Sequence, residues 1–239
     1  TAALILISGF GMMVLGYVLA PVYLKLVRTP EHILEPSAGY LRIYFLSFLS
    51  IVLYNFGSGI LRALGDSRTP LYAQLAGGLM NVGMDYLFIR VLNQGINGVA
   101  WATLISQTVS AGFIFYSLVT LDPQYALRPS KLAFNREIMK ETLAIGIPAG
   151  VQSLVITLSN VIVQYHINSF GEDAIAAFTA YFKVELLIYL PITALGQTIM
   201  TFTGQNAGAG NWKRVRKGTR NCVWMSMGFA AFTAMLCIP

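Results

Sequence analysis

Asn81 and Asp85 stand four positions apart in an apolar stretch, so a helix would carry an amide and a carboxylate on one face. Thr103 lies in the next apolar stretch, beyond a turn expected near 90–97. Asp85 is then about five residues and Thr103 about six residues from the same end of a helical hairpin. Carboxylate, amide and hydroxyl oxygens at one depth make a hard donor set for a small cation, and a carboxylate in a dry site can instead hold a proton. In the other reading Asp85 reaches outward or pairs with Arg90, while Asn81 and Thr103 are packing polars. Spacing alone leaves both open.

Lys183 and Glu185 form a second polar pair, in the middle of another apolar run. Two residues apart means about 200° around a helix, so they cannot pair on one face. Gln152, on the preceding run, falls at comparable depth. Together these three suit the lining of a cavity for an amphipathic cation, or each charge joins a structural pair between helices. Arg42 lies near a helix end, where its long stem can carry the guanidinium to a polar surface. His32 and His166 are isolated. No glycine-rich phosphate loop followed by Lys occurs, which argues against an ATP-driven pump. No nucleophile with a His and acid partner is visible, so nothing points to an enzyme or to a resident cofactor.

The elements that would position these residues follow from composition. Of 239 residues 56% are hydrophobic and 11% charged, with mean hydropathy +0.64. A soluble domain carries about 25% charged residues, so such a chain calls for a lipid-facing surface. The formal charge of +6 sits between apolar runs, as membrane topology requires, and does not indicate nucleic acid. Cys222 and Cys237 lie on one expected helix, roughly 22 Å apart, and cannot bridge.

At about 20 apolar residues per span, the chain reads as seven helices near 1–26, 38–61, 71–89, 98–121, 142–168, 174–203 and 219–239. Arg28-Thr29-Pro30, Gly65-Asp66-Ser67, Asn93-Gln94-Gly95, Asp122-Pro123 and Gly208-Ala209-Gly210 mark the breaks. Basic residues concentrate in alternate loops: Arg62 and Arg68, then Arg128, Lys131, Arg136 and Lys140, then Lys213 to Arg220. The other loops hold Lys25, Arg28 and Arg90, and this asymmetry places the richer set in the cytoplasm. The chain has no initiating Met and opens within an apolar run, which leads us to expect a piece of a longer polytopic protein.

Several segments resemble the multidrug and toxic compound extrusion (MATE) family, in its DinF-like prokaryotic branch. They are Ser58 to Pro70 (SGILRALGDSRTP), Asn81 to Asp85, Gly146-Ile147-Pro148-Ala149-Gly150, Ala176 to Ala180, and Gly204 to Gly210 (GQNAGAG). The resemblance implies an all-α, polytopic membrane helix bundle, part of a twelve-helix, two-lobe, V-shaped transporter of which this chain covers helices three to nine. Residues 1–121 would supply helices three to six of the amino-terminal lobe, 122–141 a cytoplasmic linker, and 142–239 helices seven to nine of the second lobe.

The implied function is antiport: organic, often cationic, drugs or toxins leave in exchange for Na+ or H+. Asn81, Asp85 and Thr103 match the family's ion site in order and spacing, and would hold Na+ if Na+ is coupled. Gln152, Lys183 and Glu185 are expected at the substrate cavity, and Glu185 is similar to an acid many members carry in helix eight. Another branch places a Glu in helix seven, near the position of Ile156 here, which puts ion binding through that acid in doubt. No cofactor is expected beyond the coupling ion. The expected partners are small organic cations and the lipid bilayer, not nucleic acid. The expected assembly is a monomeric, multi-pass protein of the prokaryotic inner (plasma) membrane. The alternative is a flippase for lipid-linked precursors from the same superfamily. Its diphosphate would need a more basic cavity than Lys183 alone provides.

Overall fold

The computed structural model describes residues 2–26, 31–122, 127, 135–168 and 170–237. The expected break at Arg28-Thr29-Pro30, Pro123, and the loop cations Arg128 and Lys131 lie outside them. The chain is all-α: α1 (Ala2–Leu26), α2 (Glu31–Leu46), α3 (Phe48–Ala63), α4 (Arg68–Tyr86), a π-helical turn (Leu87–Val91), α5 (Gly95–Val119), α6 (Arg136–Asn168), α7 (Glu172–Gly208) and α8 (Trp212–Cys237). No strand occurs among the described residues.

Among the described residues, five helical stretches are long and apolar enough to cross a membrane: Ile5–Lys25, Glu31–Ala63, Gly95–Val119, Arg136–Ile167 and Asp173–Gly208. The sequence suggests seven. α4 and α8 fall short because α4 carries Gln74, Asn81 and Asp85, and α8 opens on a run of cations.

Local chemistry sets the helix ends. The helix expected at 38–61 runs from Glu31 to Ala63, interrupted at Ser47. There the backbone N–H and the hydroxyl both donate to the Tyr44 carbonyl, at 3.0 and 2.6 Å. A serine bonded back to its own helix in this way locally disturbs the ladder. Gly65 ends α3 with φ 94°, a conformation that costs glycine little, and the Asp66 N–H donates to the Leu61 carbonyl at 2.9 Å. Asp66 then caps α4, accepting from the Arg68 and Thr69 N–H groups at 2.9 and 3.0 Å and from the Thr69 hydroxyl at 2.5 Å. The Thr69 hydroxyl, followed by the Thr69 N–H, holds the Asp66 carboxyl below its ordinary 3.8.

Asn135 caps α6 by accepting from the Glu137 N–H at 2.9 Å. Helix therefore begins at Arg136, and residues 136–141 of the expected linker are its opening turns. Asn211 caps α8 in the same manner, accepting from the Arg214 N–H at 3.2 Å.

Two compact units result, Thr1–Thr142 and Leu143–Pro239. In the first, α5 is the central helix, packed against α2, α3 and α4, while α1 lies on α2 and α3. Leu61, Ala73, Ile114 and Leu118 form its core cluster. Most other buried positions are small, among them Ser47, Ser58, Ala100, Ala102, Ser106 and Ser110. Small residues let helix backbones approach, which is how packing is gained where lipid removes the hydrophobic drive. In the second unit α7 packs on α8, and no described residue from Arg136 onward is buried. That surface is apolar and needs lipid or further helices against it.

Candidate cation and substrate sites

α4 and α5 meet at an unusually close contact. A Cβ on Gly77 would lie 1.9 Å from Ser110 Oγ and 3.1 Å from the Ser106 carbonyl oxygen, so only glycine fits there. The Ser110 hydroxyl donates across the gap to the Ala73 carbonyl at 3.0 Å, fully buried. The adjacent Gly78 faces open space instead.

Further along the same pair of helices lie the three residues of the expected ion site. Asp85 is half-buried, and its Oδ1 is fully enclosed with no hydrogen-bond partner. Nor does any ion pair join it to Arg90 among the described residues, and Arg90 is exposed. Asn81, one helical turn below, is half-buried as well. Thr103 is half-buried on α5, and its hydroxyl donates to the Val99 carbonyl at 3.0 Å. That bond spends the proton and leaves oxygen lone pairs to accept or coordinate. The structure places the three residues on two packed helices but draws no hydrogen bond between them.

Immediately after Asp85 and Tyr86 the helix widens into the π-helical turn, where the Leu92 N–H reaches back five residues to the Leu87 carbonyl at 3.0 Å. Such turns concentrate at functional sites, because they re-aim neighbouring side chains at some cost in packing. Periodicity of hydrophobic residues gave no sign of it.

An enclosed carboxylate oxygen without a donor is costly to leave unmet. A proton, or a small cation with a hard-oxygen shell, would offset that cost. Among the described residues no group of three His, Cys, Asp or Glu side chains could hold a metal ion.

A second orphan was not singled out from sequence. Ser58 Oγ is buried on α3 with no partner. The available signal was a hydroxyl between Gly57 and Gly59 in an apolar helix. Arg42, expected to reach a polar surface, lies with its guanidinium carbon 5.7 Å from the centre of the Tyr17 ring, a cation–π contact to α1.

In the second unit, Glu185 lines a cavity of about 290 Å³ with Ile156 and Asn160 of α6 and Phe182, Leu186 and Tyr189 of α7. Gln152 and Lys183 are exposed and do not line it. Asn160 and Tyr189 are additional polar walls that sequence reasoning did not select. Ile156 is apolar in a cavity whose carboxylate comes from α7.

Comparison with known proteins fits this architecture. The MatE family model matches residues 1–87 and 148–239. The chain is 37% identical over 209 residues to the "Probable multidrug resistance protein YpnP" of Bacillus subtilis, covering 87% of this chain and 46% of that protein. It is 25% identical over 230 residues to a "FAD transporter" of Shewanella oneidensis, covering 94% of this chain and 50% of that protein. A solved outward-facing multidrug resistance MATE family transporter of the MOP superfamily superposes with TM-score 0.89 at 26% identity, over 98% of this chain and 52% of that one. The chain thus spans about half the length of the relatives it matches. With the family model matching most of its length, the chain belongs to the MatE family of membrane transporters.

Proposed function

We propose that this chain forms part of a secondary antiporter that exports organic, often cationic, compounds across the plasma membrane in exchange for Na+ or H+. The observation that carries the reading is the enclosed, partnerless Oδ1 of Asp85. A carboxylate within a span costs at least about 2.5–3.5 kcal/mol on insertion scales. An ion or proton that offsets this cost in one packing of the helices more than in another shifts the population between them. Asn81 and Thr103 would complete the shell around a bound Na+, or solvate the acid when it is protonated. Glu185, with Asn160 and the rings of Phe182 and Tyr189, suits a lipophilic cation. Gln152 and Lys183 would border the path rather than this cavity. The working unit is a monomer without a resident cofactor, and it catalyses no covalent chemistry.

The name "FAD transporter" on one relative supports a second reading, export of an anionic compound, for which Lys183 on α7 is the available mid-helix cation. Vesicles holding the full-length protein distinguish these readings under separately imposed Na+ and H+ gradients. Gradient-dependent efflux of a cationic dye, with no efflux of FAD, is the expected result. FAD efflux without dye efflux would replace it.

A further inference from the structure

We infer that the first three turns of α8 bind the headgroup of an anionic phospholipid. Lys213, Arg216, Lys217 and Arg220 recur at three- and four-residue spacing, so they share one helix face. They line a groove of about 340 Å³ to which no other described residue contributes. Residues 186–239 contain no Asp or Glu, so no carboxylate of α8 or of the adjoining half of α7 neutralises them.

The opposite face of α8 is already occupied. A Cβ on Gly218 would fall 2.3 Å from the Phe202 ring, and the Cys222 thiol donates to the Leu195 carbonyl of α7 at 3.6 Å. Contact with α7 therefore turns the four cations outward. One turn beyond Arg220, and on the same face, stands Trp224, which is 65% exposed. From there α8 becomes apolar. Cations, then an indole, then an apolar run is the order of layers met on entering a bilayer from water. Guanidinium and ammonium groups on a common face match phosphate oxygens by charge and by forked hydrogen bonding. A soluble anion would use the cations but not the exposed indole, so the arrangement favours a lipid. This inference does not depend on which ion is coupled to transport.

Native mass spectrometry of the full-length protein tests it, with phosphatidylglycerol, phosphatidylcholine and inorganic phosphate as probes. Phosphatidylglycerol adducts should dominate over phosphatidylcholine and survive millimolar phosphate. Lys217→Gln/Arg220→Gln should weaken them at least roughly tenfold, whereas Arg136→Gln/Lys140→Gln on α6 should not. Equal binding of the two lipids, displacement by phosphate, or undiminished adducts in Lys217→Gln/Arg220→Gln would overturn it. Should that variant fail to insert, brominated lipids keep the question open to decision in the unaltered charge background. Brominated phosphatidylglycerol should quench a fluorescence component that Trp224→Phe removes, and brominated phosphatidylcholine should quench it less. Equal quenching by both lipids counts against the site.

Discussion

The hydroxyl of Ser110 donates to the backbone carbonyl of Ala73 at 3.0 Å, wholly inside the contact between α5 and α4. Gly77, one turn from Ala73, leaves the room that Ser110 occupies. This bond anchors α4 along its length, and Asp85 sits two turns further on. The helix that carries the carboxylate is thus held on α5 by small residues, while Asp85 Oδ1 has no hydrogen-bond partner of its own.

Gly77→Ala should lower stability by about 1–3 kcal/mol, because the new methyl meets buried atoms that cannot retreat. Gly78→Ala, which points into open space, should change it by no more than about 0.5 kcal/mol in the destabilising direction. Thermal unfolding of the two variants in detergent, followed by a thiol-reactive dye, compares them directly.

Asp66 caps α4 in its charged form, and its carboxyl is held below 3.8 chiefly by the Thr69 hydroxyl. A lowered folded-state value means that the stabilisation is fully present above the unfolded value and disappears as pH falls through the folded one. Asp66→Ala should cost about 0.5–1 kcal/mol at pH 7, the low end of the capping range because the group stays largely in water. Unfolding midpoints of variant and parent should converge as pH drops below 3.8.

Ser58→Ala removes a buried hydroxyl that has no partner, so stability should be unchanged or higher by up to about 1 kcal/mol. A drop in melting temperature would show that the hydroxyl is satisfied in the membrane by a group the helices themselves do not supply.

Glu185→Gln should raise the apparent KM for a cationic dye by about tenfold, the loss expected when a charge-assisted contact becomes neutral. Lys183→Ala lies off the Glu185 cavity and should alter KM much less. Initial efflux rates over a range of dye concentrations supply both values.

Much of this molecule was legible in its sequence, and the limits have physical causes. Hydropathy located the long helices, and Gly65-Asp66 was readable as a turn because a positive φ and a capping carboxylate are local requirements. Asp85 stood out because charge is expensive among apolar neighbours. The interruption at Ser47, the early start of α6 at Arg136 and the π-helical turn after Tyr86 were not legible. Each depends on which of several available hydrogen bonds a backbone group takes. Pairing between helices was also hidden. Gly77 and Gly78 are adjacent and chemically identical, yet only one faces α5. Asn160 and Tyr189 join Glu185 only because α6 presents Ile156 and Asn160 toward that part of α7.

The proposed antiport requires that Asp85 capture and release the coupling ion. Its most direct test is efflux of a cationic dye from vesicles containing Asp85→Asn, with Na+ and H+ gradients applied in turn and the amount of folded protein matched to the parent. If Asp85 is the coupling acid, neither gradient drives efflux by the variant, although it inserts and melts like the parent. Undiminished gradient-driven efflux by Asp85→Asn would contradict it.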